Sequence, residues 1–445
     1  MQVTVETTTG LERKLTVGVP ADEIDTKVNE KLADAAKNVR INGFRPGKVP
    51  LREVKRRYGK AVREEVLGEL IGAKFYEAVS QENLNPAGMP HIERTQDEPG
   101  QEFQFTATFE VYPEITVSGV ENISVTRYSA EIKDEDVDNM LEKLREQRAA
   151  FEPVERAAQE GDQVVIDFAG TIDGEEFEGG AASNHELILG SNSMIPGFEK
   201  GIEGATKGEQ RDVNVTFPED YHQEDLRGKE AVFNVTVHEV KEKTLPEVNE
   251  EFIKQFNPNQ TEVEEFKKEV RNNMERELKS ALKNKIKQQA MEGLLEQNEI
   301  EVPRALVDQE IDRQRQQMVQ QFGGGQQFDY STLPAELFEE QATRSVKLGL
   351  LLGEFINANE IRADSDKVRE TIEEMAQPYE NPEEVVNYYY QSEEQLKQVE
   401  SLVLEDTAIE KIVAQAQVSD EEVGYEEAVK PLETKQSNES AEEEA

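Results

Sequence analysis

The one concentration of like charge able to grip a partner lies between Lys37 and Arg63. Ten Lys or Arg (Lys37, Arg40, Arg45, Lys48, Arg52, Lys55, Arg56, Arg57, Lys60, Arg63) stand there against one acid, Glu53, a local charge of +9 in a chain whose formal total is −44. Within it runs Asn42-Gly43-Phe44-Arg45-Pro46-Gly47-Lys48-Val49-Pro50. Its glycines and prolines exclude helix and predict a tight loop with Phe44 at the tip. A large ring between cations has the chemistry of a docking point: the ring fills an apolar notch, while the planar fork of Arg45 suits a carboxylate or a phosphate. Composition leaves a second reading open, in which Phe44 folds under its own loop and the cations are an ordinary solvated face.

Covalent chemistry finds little support elsewhere. Cysteine is absent, which excludes disulfides, thiolate zinc sites and thiol nucleophiles and fits a reducing compartment. The four histidines, His91, His185, His222 and His238, show no metal-ligand spacing, and no G-x-x-x-x-G-K-[ST] loop occurs, so neither a metal nor a nucleotide cofactor is expected. The acidity is uneven. Residues 1–112 hold sixteen basic and eighteen acidic side chains, leaving −42 for the remaining 333, which should repel nucleic acid and keep the chain soluble. Met1 leads directly into a strand pattern with no basic and apolar leader, and no apolar run approaches the roughly 20 residues of a membrane span, so a cytoplasmic location off the membrane is expected.

The elements that position these groups follow from periodicity. Val3–Thr8 and Leu11–Val19 alternate around Thr9-Gly10 and predict a hairpin. Pro20-Ala21-Asp22 opens a helix with Ile24, Val28, Leu32, Ala36 and Val39 on one face, and a second helix after Pro50 carries Val54, Tyr58, Val62, Val66, Leu70 and Ile71. Alternation at Phe103, Phe105, Ala107, Phe109 and Val111 adds a strand, closing a compact α+β unit near Tyr112-Pro113. Ile115–Tyr128 is expected to be extended and Lys133–Phe151 helical. From Gly161 to Val240 short alternating runs (Val164, Ile166, Phe168; Val213, Val215, Phe217; Phe233, Val235, Val237) and the Asp173-Gly174 turn predict a small antiparallel sheet of about 85 residues. Pro196 is placed in the first turn of a short helix crossing that sheet.

Beyond Leu245-Pro246 the pattern is helical. Apolar residues from Phe252 to Leu295 recur at three and four as one long helix or two; Ile300–Val319, Pro334–Ile356, Lys367–Ala376 and Val385–Ala416 follow, with a break at Gly323-Gly324-Gly325. Thin apolar stripes of this length suggest extended arms. The tail from Ser419 to Ala445 is acidic and poor in large apolar groups, so its end is expected to be disordered.

Gly43-Phe44-Arg45, then Gly47-Lys48 and Pro50, resembles the G-F-R-x-G-K-x-P signature of the trigger factor family of ribosome-associated bacterial chaperones, and the likeness continues through the chain. In that family the loop seats on a protein at the ribosomal exit tunnel, with RNA in reach. The resemblance thus implies that Phe44, Arg45 and Lys48 contact the ribosome; Pro46 stands at the variable position. Gly170, Asp173-Gly174, Phe177-Glu178, Met194-Ile195-Pro196-Gly197-Phe198 and Phe217-Pro218-x-x-Tyr221 together resemble the FK506-binding type of peptidyl-prolyl isomerase. That resemblance implies a catalytic pocket lined by Phe168, Phe177, Ile195, Phe198, Tyr221 and Phe233. Two positions depart from the drug-binding members: Glu178 replaces Asp and Phe198 replaces Trp. The residues by themselves leave open that these aromatics are simply the core of a small sheet.

The expected architecture is therefore multidomain α+β: a ribosome-binding α+β domain at 1–112, a linker and helix at 113–149, an FKBP-like antiparallel-sheet isomerase domain at 150–245, an elongated all-helical chaperone domain at 246–432 that takes up the 113–149 segment, and an acidic tail at 433–445. The expected function is an ATP-independent chaperone that shields nascent and unfolded polypeptides at the exit tunnel, isomerises prolyl bonds and forms a homodimer off the ribosome. Two other classes stay on the table, an adaptor whose isomerase fold is inactive and a nucleic-acid protein acting through the basic loop.

Overall fold

The computed structural model describes residues 2–39, 44, 49–98, 100–221, 223–321, 329–377, 379 and 381–432. The chain divides into two units, Met1–Arg127 with Lys283–Glu421, and Tyr128–Leu282 with Glu422–Ala445.

At the N-terminus β1 (Gln2–Thr7) and β2 (Glu12–Val19) form the expected hairpin. α1 (Ala21–Asn38) starts after Pro20, which has no N–H to leave unpaired, and Asp22 and Glu23 face its positive end. α2 (Leu51–Gln81) starts likewise after Pro50. β3 (His91–Gln96) and β4 (Phe103–Glu110) complete a sheet of order β1-β2-β4-β3. Ile24, Val28 and Leu32 of α1 and Val54, Val66, Leu67 and Leu70 of α2 share one core with Leu15, Val17, Phe103 and Phe105. Burying each such side chain stabilises by about 1.5–3 kcal/mol. Tyr58, placed on the apolar face by periodicity, is exposed.

The connecting segment holds a turn of 3₁₀ helix at Val120–Asn122 before β5 (Ser124–Ser129), where an extended run was expected, and then α3 (Asp134–Gln147). α3 stops short of Phe151. Pro153 cannot continue a helix, and β6 (Ala150–Val154) instead takes up an open sheet edge, pairing Ala150 with Thr244 and Val154 with Val240.

β7 (Gln163–Ile172), β8 (Glu175–Ile188), α4 (Phe198–Ile202), β9 (Gln210–Thr216) and β10 (Glu230–Thr244) follow. The five-stranded antiparallel sheet runs β6-β10-β7-β8, with β9 also on β10. Because β9 pairs with residues 230–236 and β6 with 240–244, the two share one edge of the long β10. Asp173 and Gly174, at φ 53° and 86°, make the turn that the dipeptide predicts. Pro196 lies one residue before Gly197, which caps α4 at φ 93°, and so is outside the first helical turn in which the sequence placed it.

The helical remainder comprises α5 (Glu250–Lys254), α6 (Val263–Gln297), α7 (Arg304–Gln321), α8 (Glu336–Ala358), α9 (Ser365–Ala376), α10 (Pro382–Gln391) and α11 (Glu393–Gln415). α6 serves two cores. Its first half sets Phe266, Val270, Met274 and Leu278 with Val137 and Leu141 of α3 and Phe252 and Ile253 of α5. Its second half sets Ala290 and Leu294 with Val120, Ile123, Leu351, Phe355, Ile409 and Ile412. The run from Val385 to Ala416 is two helices, divided at Ser392, whose hydroxyl accepts from the Gln395 backbone N–H and so caps α11. The break at Gly323-Gly324-Gly325 lies outside the described residues.

The tail is ordered further than its composition suggests. β11 (Gln417–Glu422) joins β5 in a two-stranded sheet, and α12 (Tyr425–Val429) buries Tyr425 and Ala428 against α3 and α6. The Tyr425 hydroxyl donates to Glu277 at 2.7 Å, and Lys143 pairs with Glu426 at 2.7 Å. Burial, then the Glu277 contact, pushes the Tyr425 phenol above its ordinary range. Residues 433–445, expected to be a disordered tail, lie outside the described residues. Among the described residues no helix is long and apolar enough to cross a membrane.

Candidate functional site

Strand alternation sends Ile166, Phe168, Val213, Val215, Phe233, Val235 and Val237 to one face of the five-stranded sheet, and α4 crosses that face. Phe198, the first residue of α4, is the floor, with 0% exposure. Phe233 stands edge-on to it at 5.2 Å and 88°, and Phe168 meets Phe198 at 5.6 Å and Phe233 at 5.9 Å. Phe177 reaches Phe233 at 6.0 Å and Phe217 at 5.8 Å, and Phe217 touches Tyr221 at 4.9 Å. Most pairs are edge-to-face, the geometry in which the positive ring edge meets the negative ring face. Phe198, Phe217 and Phe233 are buried; Phe168, Phe177, Ile195 and Tyr221 are half-buried at the edge of the same cluster. All six residues that the sequence placed in the pocket therefore come together, on a packed floor with partly open walls.

Two glycines make room for the walls. A Cβ on Gly170 would fall 2.6 Å from the Phe233 ring and 2.9 Å from Phe177, and one on Gly180 would fall 2.7 Å from Phe177. The rings occupy the space that side chains would take there.

Two residues outside the six implied as lining join the cluster. Phe217, which belongs to the Phe217-Pro218-x-x-Tyr221 motif but not to the implied lining, links Phe177 to Tyr221. Glu199, 8% exposed beside Phe198, accepts from the backbone N–H groups of Gly190 (2.7 Å), Ser193 (3.0 Å), Asn192 (3.2 Å) and Met194 (3.3 Å) and from the Ser191 hydroxyl (3.3 Å). One carboxylate thereby holds the loop that delivers Met194 and Ile195 to the cluster. Burial pushes the Glu199 carboxyl up, but the N–H groups of Met194, Asn192 and Gly190 and the Ser191 hydroxyl outweigh it and hold the group below the usual carboxylate range. Nothing in the local sequence marks this role, because the donors are backbone groups that any residue carries.

At the basic island Phe44 is 39% exposed, while Arg45 and Lys48 lie outside the described residues. Along α2, Arg52, Lys55, Arg56, Arg57 and Lys60 are exposed, whereas Val54 and Val62 turn inward. Arg56 pairs with Glu53 at 2.6 Å and Arg63 with Asp97 at 2.5 Å. The cations thus lie on the solvent side of a helix whose other side is core.

The model of FKBP-type peptidyl-prolyl cis-trans isomerases matches residues 154–238, the stretch that carries this sheet and its aromatic cluster, and so marks the unit as a prolyl isomerase. The model of bacterial trigger factor protein matches residues 1–144 and that of its C-terminus residues 262–414. The chain is 53% identical to the trigger factors of Alcanivorax borkumensis and Pseudomonas syringae pv. syringae, over 97% of its length and 99% of theirs. It is also 53% identical to that of Pseudomonas aeruginosa, over 98% of its length and 100% of the relative's. The chain belongs to the trigger factor family. It is a ribosome-associated chaperone with a peptidyl-prolyl isomerase unit, and the ribosome and nascent chains are its partners.

The chemistry asks little of reactive groups. The barrier of about 18–20 kcal/mol to turning a prolyl bond comes from amide resonance, and no covalent bond is broken. A twisted amide has lost charge separation relative to the planar one, so a water-poor aromatic wall favours the transition state.

Proposed function

We propose that prolyl peptides are held and turned against Phe168, Phe177, Ile195, Phe198, Tyr221 and Phe233. The observation that carries this reading is the edge-to-face cluster itself, a closed floor of Phe198 and Phe233 beneath half-buried Phe168, Phe177 and Tyr221. A core with no external role has no need of three half-open rings along one rim.

Docking on the ribosome resides in residues 1–112, through Phe44, Arg45 and Lys48, on a ribosomal protein at the exit tunnel with adjacent ribosomal RNA in reach of the cations of α2. Residues 150–245 form the isomerase domain. Residues 113–149 and 246–432 hold unfolded clients without a proline requirement, and 433–445 are an acidic tail. The chain works in the cytoplasm and pairs with a second copy when off the ribosome. Replacing Phe44, Arg45 and Lys48 together by Ala is expected to abolish co-sedimentation with ribosomes while isomerase activity persists. Undiminished co-sedimentation would rule the docking assignment out. For client holding, the full chain is compared with one ending at Lys243 in suppressing aggregation of a refolding protein; equal suppression by both would place that surface elsewhere.

A further inference from the structure

The strand β8 carries an irregularity beside the pocket. Ile166 pairs with His185 and Phe168 with Ala182, so Asp167 alone spans Ser183 and Asn184. Asn184 takes the left-handed φ of 50°, and its backbone N–H donates to Asp167 Oδ1 at 2.7 Å. The other oxygen of Asp167 meets His238 Nε2 at 2.7 Å, and His238 itself lies at a bulge of β10, between Val237 and Glu239. One carboxylate pins two bulges. The Asn184 N–H first, and His238 second, hold the Asp167 carboxyl below its ordinary range.

What the β8 bulge delivers is His185. Leu187 and Leu189 are buried, and alternation puts His185, two residues before Leu187, on the same inward face, opposite buried Ile166. Its ring stands at 5.8 Å and 89° to Phe168, the ring that meets Phe198 and Phe233. It is half-buried, and among the described residues no protein group hydrogen-bonds its nitrogens. A polar ring set on an aromatic wall in this way can take its partner from the bound peptide.

We infer that His185 is a specificity-determining residue of the isomerase pocket, favouring peptides with a hydrogen-bonding side chain before the proline, such as glutamine, over peptides with leucine there. The inference rests on the isomerase reading of the pocket. An imidazole nitrogen covered by leucine loses its water and gains no partner, whereas a glutamine amide replaces what is lost. Asp167 is a positioning residue for this contact, acting through the Asn184 N–H.

The experiment uses the full chain and two tetrapeptides that differ only in Gln or Leu before the proline. The measured quantity is the ratio of their kcat/KM values, which does not depend on the fraction of a variant that is folded. His185→Phe is expected to lower the Gln-to-Leu ratio about fivefold, the worth of one ordinary hydrogen bond. His185→Gln should keep the parent's ratio, and Asp167→Ala should lower it part of the way. An unchanged ratio in His185→Phe, or a His185→Gln that behaves as His185→Phe, would overturn the inference while leaving the isomerase reading intact. An Asp167→Ala ratio equal to the parent's would remove the positioning role. A parent inactive on both peptides would overturn the isomerase reading and this inference together.

Discussion

Two of the places where aromatic rings gather in this chain have opposite fates. In the isomerase sheet Phe198, Phe217 and Phe233 are buried and every ring of the cluster has at least one ring neighbour within about 6 Å. On α10 no residue is buried; Tyr388 and Tyr390 are 59% and 46% exposed, and Tyr379 and Met375 nearby are exposed as well. The difference is one of available cover. Five strands and α4 bring apolar groups over the sheet face from all along residues 150–244, whereas α9, α10 and α11 share only a small core of Val368, Ile372, Val399 and Val403, enough to pack Tyr389 but not its neighbours. Rings in the first setting hold the sheet together, and in the function proposed above they also shape the catalytic pocket. Rings in the second cost the fold little and stay exposed, as a surface able to meet a partner would be.

Substitutions can break or sharpen this contrast. The largest effect is expected from Phe198→Ala, which removes the floor of the cluster: about 3–5 kcal/mol of stability lost in the isomerase unit and prolyl isomerisation lost with it. A folded variant by circular dichroism with the parent's rate on a proline peptide would contradict the assignment. Gly170→Ala forces a Cβ against Phe233 and Phe177 and should cost about 1–3 kcal/mol, read as a lower denaturation midpoint at unchanged slope.

Glu199→Gln should cost a similar or smaller amount, about 1–3 kcal/mol, because an amide oxygen accepts the loop N–H groups less strongly than a carboxylate. The pH dependence follows from the sign of its shift. With its pKa lower when folded than when unfolded, Glu199 binds its proton more readily in the unfolded chain. Its contribution is therefore complete above the unfolded carboxylate value and disappears as pH falls through the folded one. Acid unfolding of the parent should accordingly show a step that Glu199→Gln lacks. The smallest stability effect, within about 0.5 kcal/mol, is expected for Tyr388→Ser with Tyr390→Ser. That pair should nevertheless weaken suppression of client aggregation with isomerase activity unchanged; unaltered suppression would make the two rings bystanders.

How legible each feature was depended on the range of the interactions that set it. The N-terminal hairpin, α1, α2 and the Asp173-Gly174 turn follow from turn chemistry and period, which act over a few residues. The six pocket residues follow from spaced motifs that resemble a family's, and the sheet brings them into one cluster. β3 escaped notice because its six residues, His-Ile-Glu-Arg-Thr-Gln, contain one large apolar side chain and are held by ladder bonds to β4.

By itself the sequence determined the N-terminal hairpin, α1, α2 and the Asp173-Gly174 turn, that the chain carries one cationic island in an acidic whole, and that thiol chemistry is excluded, since composition and local steric preference decide all of these. Only the tertiary structure decided that Ala150–Val154 leaves a helical run to pair with β10, that β11 and α12 return some 290 residues later to β5 and α3, and that Glu199 and Asp167 spend their carboxylates on backbone N–H groups of loops and bulges. Each of these depends on an open strand edge, an uncovered apolar face or an unpaired donor presented by a distant segment, and such a vacancy exists only once the rest of the chain has folded around it.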